Sequence, residues 1–461
     1  MKYFFETYGC QMNIAESASI EQLLIARGWQ KSDDAETADL VVINTCSVRA
    51  TAENRIFGRL GWYTGLKAVR NCDKNAKIRT LGKAVEFVKD GPKPLTLVVT
   101  GCMAERLLES LQKDYPCIDY VMGTFAKHKF GQIIDAVENH QTATIQNDEK
   151  YQFASLSYEK GAFEAFVPIM HGCNNFCTYC IVPYVRGREI SRNVNEILNE
   201  IDVLTSYGVC EITLLGQNVN SYHGKLDDKE IDFADLLQMI ANHLKETNSS
   251  IKWVRFMSSH PKDLSEKVIE VIAKEAVLCH HIHLPVQHGS TQILKQMNRV
   301  YTADEYIALV EKIKKAIPDV SLTTDLMMGF PGETDEDVNA TLELLKIIRY
   351  KDAFMYYYNP REGTPAAKMT NQIPLAVKKQ RLQKIIDLQL EITTEELKKR
   401  VGKTVMVLCQ SVSKDNKEEL LGKTEQDERI VFKAEKTQIG KFVKVQIDSL
   451  NGNTFKGHII N

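Results

Sequence analysis

Between residues 164 and 358 the sequence repeats one unit six times: a short apolar run rich in β-branched residues, then a stretch with helical spacing. The runs are EAFVPIM (164–170), CEITLLG (210–216), KWVRFMS (252–258), HIHLPV (281–286), DVSLTTDL (319–326) and AFMYYY (353–358). Helical patterns such as VNEILNEIDVLTSYG (194–208) and TDEDVNATLELLKIIR (334–349) fall between them. Consecutive βα units build a parallel sheet, closed or partly closed as a barrel, with a doubly wound open sheet as the alternative. In either case the chemistry belongs at the C-terminal ends of the strands.

The flanks have other textures. Residues 1–148 carry three buried-type strands, KYFFETY (2–8), DLVVINT (39–45) and LTLVVTG (95–101), and a helix over 14–28 stopped by Gly28. Apolar runs of this kind suit a parallel α/β sheet covered on both faces. The basic segment 50–94 is expected to be helical up to the breaker GPKP, and QNDEK (146–150) reads as a linker. Residues 375–400 form a charged helix without Gly or Pro. Beyond it GKTVMVLCQ, ELLGKTE, RIVFKA and KFVKVQID alternate with period two, as in a small OB-like β-barrel. The fold class is therefore α/β multidomain: a parallel-sheet domain (1–148), a (β/α)6 domain (149–374), a helical connector (375–396) and a β-barrel (397–461).

Net charge is −2, so any nucleic-acid surface must be local. Residues 397–461 hold thirteen Lys and Arg against eight Asp and Glu, which leaves −7 for the rest. A basic β-barrel on an acidic body points to a nucleic-acid grip, with a solvated charged surface as the alternative. There is no apolar run of membrane-spanning length, and MKYFFETYGCQMN turns polar too soon for a signal peptide. The expectation is a cytoplasmic protein with no membrane partner, whose eleven cysteines are metal ligands or buried thiols.

Six of those cysteines form two sets of three. HGCNNFCTYC places Cys173, Cys177 and Cys180 directly after the first strand of the repeat. The spacing is not that of a zinc ribbon. Three thiolates hold three corners of a [4Fe–4S] cube and leave the fourth iron for a small chelator; zinc or unrelated buried thiols are the alternatives. The second set closes the three N-terminal strands: TYGC, NTC and TGC end in Cys10, Cys46 and Cys102. A parallel sheet puts all its C-terminal strand ends on one rim, so these cysteines meet in space unless they are chance buried thiols. Cys117, Cys210, Cys279 and Cys409 read as buried thiols.

With these features the chain resembles the methylthiotransferase family of radical S-adenosylmethionine enzymes. The wording is close to the tRNA-2-methylthio-N6-dimethylallyladenosine synthase type in TYGCQMN (7–13), VINTCSVRATAE (42–53), GCMAER (101–106), PIMHGCNNFCTYCIVPYVRGRE (168–189), GQNVNSY (216–222), SSHPKDLS (258–265), HLPVQHGS (283–290), MMGFPGET (327–334) and YNPREGTP (358–365). The resemblance implies a partial TIM barrel of the radical SAM type, a C-terminal TRAM domain, two [4Fe–4S] clusters and S-adenosyl-L-methionine. Cys173, Cys177 and Cys180 would ligate the cluster that cleaves the cofactor, and Cys10, Cys46 and Cys102 the cluster that holds the donated sulfur. The substrate would be a tRNA anticodon stem-loop carrying isopentenylated adenosine at position 37, methylthiolated at C2. A flavodoxin or ferredoxin would supply electrons to a monomer. Sibling activities on threonylcarbamoyladenosine or a ribosomal-protein aspartate, and a non-catalytic iron–sulfur RNA-binding protein, are the alternatives.

Polar residues at strand ends are the remaining candidates. Tyr179 is placed to pack on the cofactor adenine. Gln217, Asn218, Ser258 and Gln287 are placed to bind cofactor or substrate, or else to cap helices and satisfy loops. Arg186 and Arg188 read as phosphate contacts or surface pairs, and His260, His283 and His288 as structural. The segment 61–93, with Cys72, is longer than the family's usual spacing and reads as an insertion near the RNA-facing side, with a structural elaboration as the alternative.

Overall fold

The computed structural model describes residues 1–460 apart from 48–49, 74–75, 77–80, 147 and 149. Parts of the VINTCSVRATAE stretch, the 61–93 segment and the 146–150 linker thus lie outside the described residues. The chain forms two compact units: Met1–Asn174 with Ile181–Arg192, and Asn175–Cys180 with Asn193–Asn461.

The first unit opens with β1 (Lys2–Thr7), α1 (Gln11–Ala26), β2 (Gln30–Lys31), β3 (Leu40–Thr45) and α2 (Ala50–Arg70). It continues with α3 (Gly82–Phe87), β4 (Thr96–Gly101), α4 (Cys102–Arg106), α5 (Leu108–Asp114), β5 (Tyr120–Met122) and α6 (Phe130–Glu138). The five strands pair in parallel in the order β2-β1-β3-β4-β5. Along β3, Val41 and Ile43 face a core with Ile56, Leu60 and Tyr63 of α2, while Leu40 and Val42 face Ile20 and Leu24 of α1 and Phe130 of α6. That two-sided burial explains why the strand reads as an unbroken apolar run. The short β2 and β5 carry too few residues to stand out in the sequence. Strand order reverses between β1 and β3, which makes their C-terminal ends a topological switch point, the place where doubly wound sheets bind ligands.

The rest of the first unit is β6 (Glu164–Pro168), β7 (Met170–His171), α7 (Val182–Arg186) and β8 (Ile190–Ser191), with β7 and β8 antiparallel.

In the second unit come α8 (Val194–Ser206), β9 (Glu211–Leu215), the hairpin β10 (His223–Leu226) and β11 (Lys229–Asp232), α9 (Phe233–Glu246), β12 (Trp253–Phe256) and α10 (Glu266–Lys274). They are followed by β13 (His281–His283), α11 (Thr291–Gln296), α12 (Ala303–Ala316), β14 (Ser321–Met328), α13 (Asp335–Ile348) and β15 (Asp352–Tyr357). β9 pairs in parallel with β12, and β14 with β13 and β15. Capping boxes at Asp232/Asp235, Thr302/Glu305 and Thr334/Asp337 start α9, α12 and α13.

α14 (Leu375–Lys398) leads into a closed barrel of β16 (Thr404–Val412), β17 (Glu419–Thr424), β18 (Arg429–Lys433), β19 (Phe442–Asn451) and β20 (Thr454–Ile459). This barrel packs at the N-terminal ends of the βα strands. Arg255 donates to the carbonyls of Thr424 (2.8 Å) and Glu425 (2.7 Å), and Lys423 pairs with Glu211 at 2.6 Å. Trp253 meets Phe442 edge to face at 4.8 Å. The small barrel therefore sits at the end of the strands opposite the rim where Gln217, Ser258 and Gln287 lie. No helix among the described residues is long and apolar enough to cross a membrane.

Candidate functional site

The first site is built entirely in the first unit. Cys10 is the N-cap of α1 and Cys102 the first residue of α4, so both sulfurs sit at helix N-termini, which favour negative charge. Glycines let the strands close around them. Gly9 has φ +117°, and a Cβ there would lie 2.6 Å from Cβ of Cys46. Gly101 has φ +97°, and a Cβ there would lie 2.3 Å from the carbonyl oxygen of Thr45.

Asn13 ties the turns together from the first turn of α1. Its Nδ2 donates to the carbonyls of Tyr8 (2.9 Å) and Thr45 (2.8 Å), and its Oδ1 accepts from Sγ of Cys10 at 3.7 Å. Thr45 then holds the third cysteine: its hydroxyl donates to Thr100 and accepts from the amide of Ala104 at 3.2 Å. Cys46 and Cys102 are buried and Cys10 is exposed. Burial pushes the Cys102 thiol up, Arg186 pulls it down, and the charges of Glu16 and Cys10 push it up again. The structure places Cys10, Cys46 and Cys102 just past the C-terminal ends of the neighbouring parallel strands β1, β3 and β4, on one rim of the sheet.

A buried polar group backs this rim. Arg186 of α7 donates from Nε to Sγ of Cys102 at 3.3 Å, from Nη1 to Glu16 at 2.8 Å, and from Nη2 to Oδ1 of Asn13 at 3.2 Å. Lys127 also pairs with Glu16. Burial works to raise the Glu16 carboxyl, but Arg186 and Lys127 outweigh it and hold it down at about 2. His171 lies 3.4 Å from Nη1 of Arg186 and stacks on Tyr151 at 3.5 Å. Burial first, then Arg186, keeps its pKa well below the ordinary imidazole value. Arg186 is therefore neither a surface pair nor a phosphate contact; Arg188 is exposed.

The Cys-x3-Cys-x2-Cys loop divides between the units, Cys173 in the first, Cys177 and Cys180 in the second. Cys173 donates its amide to Gly187 at 3.1 Å. In the second unit the segment after α11 clamps the loop. Thr178 donates to the carbonyl of Met297 at 3.0 Å, and Asn298 Nδ2 donates to those of Asn175 (3.0 Å) and Phe176 (3.2 Å). Buried Arg299 donates to Sγ of Cys177 at 3.5 Å and to the carbonyl of Pro285 at 2.7 Å. Tyr179 packs against Ile293, Met297, Met327, Phe330 and Tyr358.

The strand-end residues fall into two groups. Ser258 (φ +71°) accepts from the amide of Val219 at 3.1 Å, joining the ends of β9 and β12, with Gln217 and Asn218 beside it in sequence. Asn218 donates to Asp263 at 2.6 Å. Among the described residues, Asn218 Oδ1, Asn220 Nδ2, Ser259 Oγ and His260 Nε2 are buried without a hydrogen-bond partner. Gln287 (φ +72°) is bonded to the backbone of β14 and accepts from the Tyr356 hydroxyl at 3.2 Å. Left-handed backbone at two non-glycine strand ends is strain of the kind that collects at ligand sites. His283 contacts Thr323, and His288 bonds Glu333 and the amide of Ser290, as structural histidines do. Asn13, Glu16, Lys127 and Arg299 escaped the sequence reading; Asn13 and Glu16 are marked only by their place in or just after TYGCQMN, and Lys127 and Arg299 lie far in sequence from both cysteine sets.

Among the described residues no three His, Cys, Asp or Glu side chains close on one point as the ligands of a single ion do. A cube gives each thiolate its own iron.

Family models match three regions: "Uncharacterized protein family UPF0004" over residues 2–123, the radical SAM superfamily over 167–345 and the TRAM domain over 398–460. Relatives named tRNA-2-methylthio-N(6)-dimethylallyladenosine synthase align over the whole chain. The protein of Treponema denticola is 50% identical, with 100% of each chain covered. That of Treponema pallidum (strain Nichols) is 48% identical, with 100% of this chain and 99% of the relative covered.

The chain belongs to the tRNA-2-methylthio-N(6)-dimethylallyladenosine synthase family.

A Clostridium botulinum (strain Loch Maree) member is 42% identical, covering 100% of this chain and 97% of its own. The family's fold is shared more widely. The radical S-adenosylmethionine methyltransferase TsrM of Kitasatospora setae, solved with cobalamin and a [4Fe-4S] cluster bound, superposes with a TM-score of 0.56 at 14% identity over 79% of this chain and 74% of that one. In this member of the synthase family the doubly wound domain, the radical SAM domain and the TRAM barrel follow in that order.

Proposed function

We infer that this chain is a tRNA methylthiotransferase that replaces the C2 hydrogen of N6-isopentenyladenosine, at position 37 beside the anticodon, with a methylthio group. The observation that carries the reading is identity of 48–50% over the full length to relatives bearing that name.

The residues fit two iron–sulfur clusters. Soft thiolates stand in threes, and a buried guanidinium lies beside a sulfur of each set: Arg186 at Cys102 and Arg299 at Cys177. Cys10, Cys46 and Cys102 hold one [4Fe–4S] cluster, and Cys173, Cys177 and Cys180 the other. When bound, the clusters and S-adenosyl-L-methionine supply one-electron and sulfur chemistry.

The chain's own residues orient and enclose. Asn13 and Thr45 fix the turns that carry Cys10, Cys46 and Cys102, and Asn298 and Thr178 fix the loop of Cys177 and Cys180. The unsatisfied Oδ1 of Asn218, with Gln217 and Ser258 beside it, offers hydrogen bonds to ribose or amino-acid groups of the cofactor, and Tyr179 and Gln287 complete that set. The TRAM barrel binds the anticodon stem-loop, whose unpaired bases are open to a pocket.

The domain bounds are 1–148, 149–374, 375–396 and 397–461; each family-model match falls inside one of them. We place the enzyme in the cytoplasm as a monomer reduced by a flavodoxin or ferredoxin.

The test is reconstituted enzyme with S-adenosyl-L-methionine, reductant, and tRNA carrying or lacking the isopentenyl group. We expect the methylthio nucleoside by mass spectrometry from the first tRNA only. Product from both, or from neither, refutes the assigned substrate.

A further inference from the structure

The Cys10/Cys46/Cys102 rim has a charge imbalance behind it. Arg186 is 2% exposed, Glu16 4% and Lys127 9%: two cations and one carboxylate, all buried. His171, which touches Arg186, is an imidazole and supplies no negative charge. The Oδ1 of Asn13 is a neutral acceptor. A buried charge without a counter-charge is costly, of the order of several kcal/mol per ion. The remaining group in contact with the guanidinium is Sγ of Cys102, 3.3 Å from Nε.

We propose that Arg186 is a positioning residue for the iron–sulfur group of the first site: its guanidinium is the counter-charge of the Cys102 ligand, and Glu16 sets how much of that charge the sulfur receives. The proposal rests on the assignment of Cys10, Cys46 and Cys102 as cluster ligands. The local structure supports it in two ways. Ile181 and Val185, in the helical turn that leads into Arg186, pack on Cys102 and cover the contact with apolar surface. Glu16 lies one helical turn after Asn13, the residue that fixes Cys10, so one face of α1 holds both a ligand turn and the anion that orients the arginine.

Hydrogen bonds to sulfur and nearby charge are what set the reduction potential of such a group. Positive charge at the sulfur favours the more negative, reduced state and raises the potential. The arginine lies six residues after Cys180 in the chain, so the segment that completes one cysteine motif also carries the cation for the other.

The test uses the full chain with Cys173, Cys177 and Cys180 changed to Ala, reconstituted with iron and sulfide, so that only the first site is filled. Redox titration followed by electron paramagnetic resonance reads its potential. If this parent assembles no cluster, the ligand assignment itself fails, which is distinct from failure of the proposal. Glu16→Gln removes the competing anion and should shift the midpoint upward. Glu16→Gln combined with Arg186→Met should shift it downward from the Glu16→Gln value, and Arg186→Lys in the same background should recover part of the shift. Opposite shifts in the two variants establish the role. Equal midpoints and unchanged spectra in parent, Glu16→Gln and the double variant overturn it. Should the double variant hold no iron while melting as the parent does, recovery of iron by Arg186→Lys supports the role and absence of recovery refutes it.

Discussion

Gly9 and Cys46 are so close that a single carbon added to the glycine would sit 2.6 Å from the cysteine Cβ. The contact joins the turn after β1 to the turn after β3 across the switch point of the sheet. Gly9→Ala should therefore cost about 2 kcal/mol or more, from positive-φ strain and overpacking together. It should also empty the first site. Iron analysis of a protein lacking Cys173, Cys177 and Cys180 checks this: about four irons per chain should fall toward none.

Replacing Cys10, Cys46 and Cys102 by Ala should abolish methylthiolation and leave cleavage of S-adenosyl-L-methionine to 5′-deoxyadenosine. Chromatography of both products decides it; loss of the two activities together would argue against separate roles for the two sites.

Glu16 gives stability a pH dependence with a definite sign. Its carboxyl is held at about 2, against an ordinary value of 4.5, because Arg186 and Lys127 overcome the burial that opposes ionisation. A depressed carboxyl stabilises the fold above the unfolded value and loses that contribution as pH falls through 4.5 toward 2. The difference corresponds to about 3 kcal/mol. Thermal melting of the metal-free protein should show Glu16→Gln less stable than the parent at about pH 7, with the gap closing toward about pH 3. A constant gap would remove the ion pairs from the account.

Arg299 joins Cys177 to the carbonyl of Pro285 and the hydroxyl of Tyr301. Loss of such an outer partner of a metal ligand typically costs about 10–100-fold in metal affinity or activity. Arg299→Met should reduce cofactor cleavage by that order while the Cys10/Cys46/Cys102 site keeps its iron. Equal loss of iron from both sites would indicate general unfolding instead.

Arg255 locks the TRAM barrel to the base of the βα strands through two carbonyls and the buried carboxylate of Glu211, 3.1 Å away. Arg255→Met removes the side-chain donor from both carbonyls, leaving that of Thr424 with the Asp427 amide only, and leaves Glu211 with Lys423 alone. Breaking a buried pair of this kind costs about 3–5 kcal/mol. Limited proteolysis should then cut near the end of α14 and release the barrel, and tRNA binding should weaken with cofactor cleavage retained.

The sequence by itself determined the elements and the cysteines. In β3, LVVINT is buried along its whole length because the sheet is covered on both faces, and that burial is what writes an unbroken apolar run. Parallel strands share one direction, so TYGC, NTC and TGC had to end on the same rim whatever lay between them. Spacing alone likewise kept Cys173, Cys177 and Cys180 in one loop. Helix α1 was legible too, although it starts at Gln11 and not at residue 14, because Cys10 takes the N-cap position.

Tertiary structure decided the partners. Arg186 reads in sequence like a surface cation, yet α7 folds against α4 and buries it on Cys102, 84 positions away. Arg299 reaches Cys177 across 122 positions, and Arg255 reaches Thr424 across 169. The basic β-barrel was visible as a barrel, but its seat at the N-terminal ends of the βα strands was not. Periodicity reports only which face of an element is apolar. Which buried charge meets which sulfur or carbonyl depends on how those faces pack, and each buried polar group must find its counterpart there or destabilise the fold.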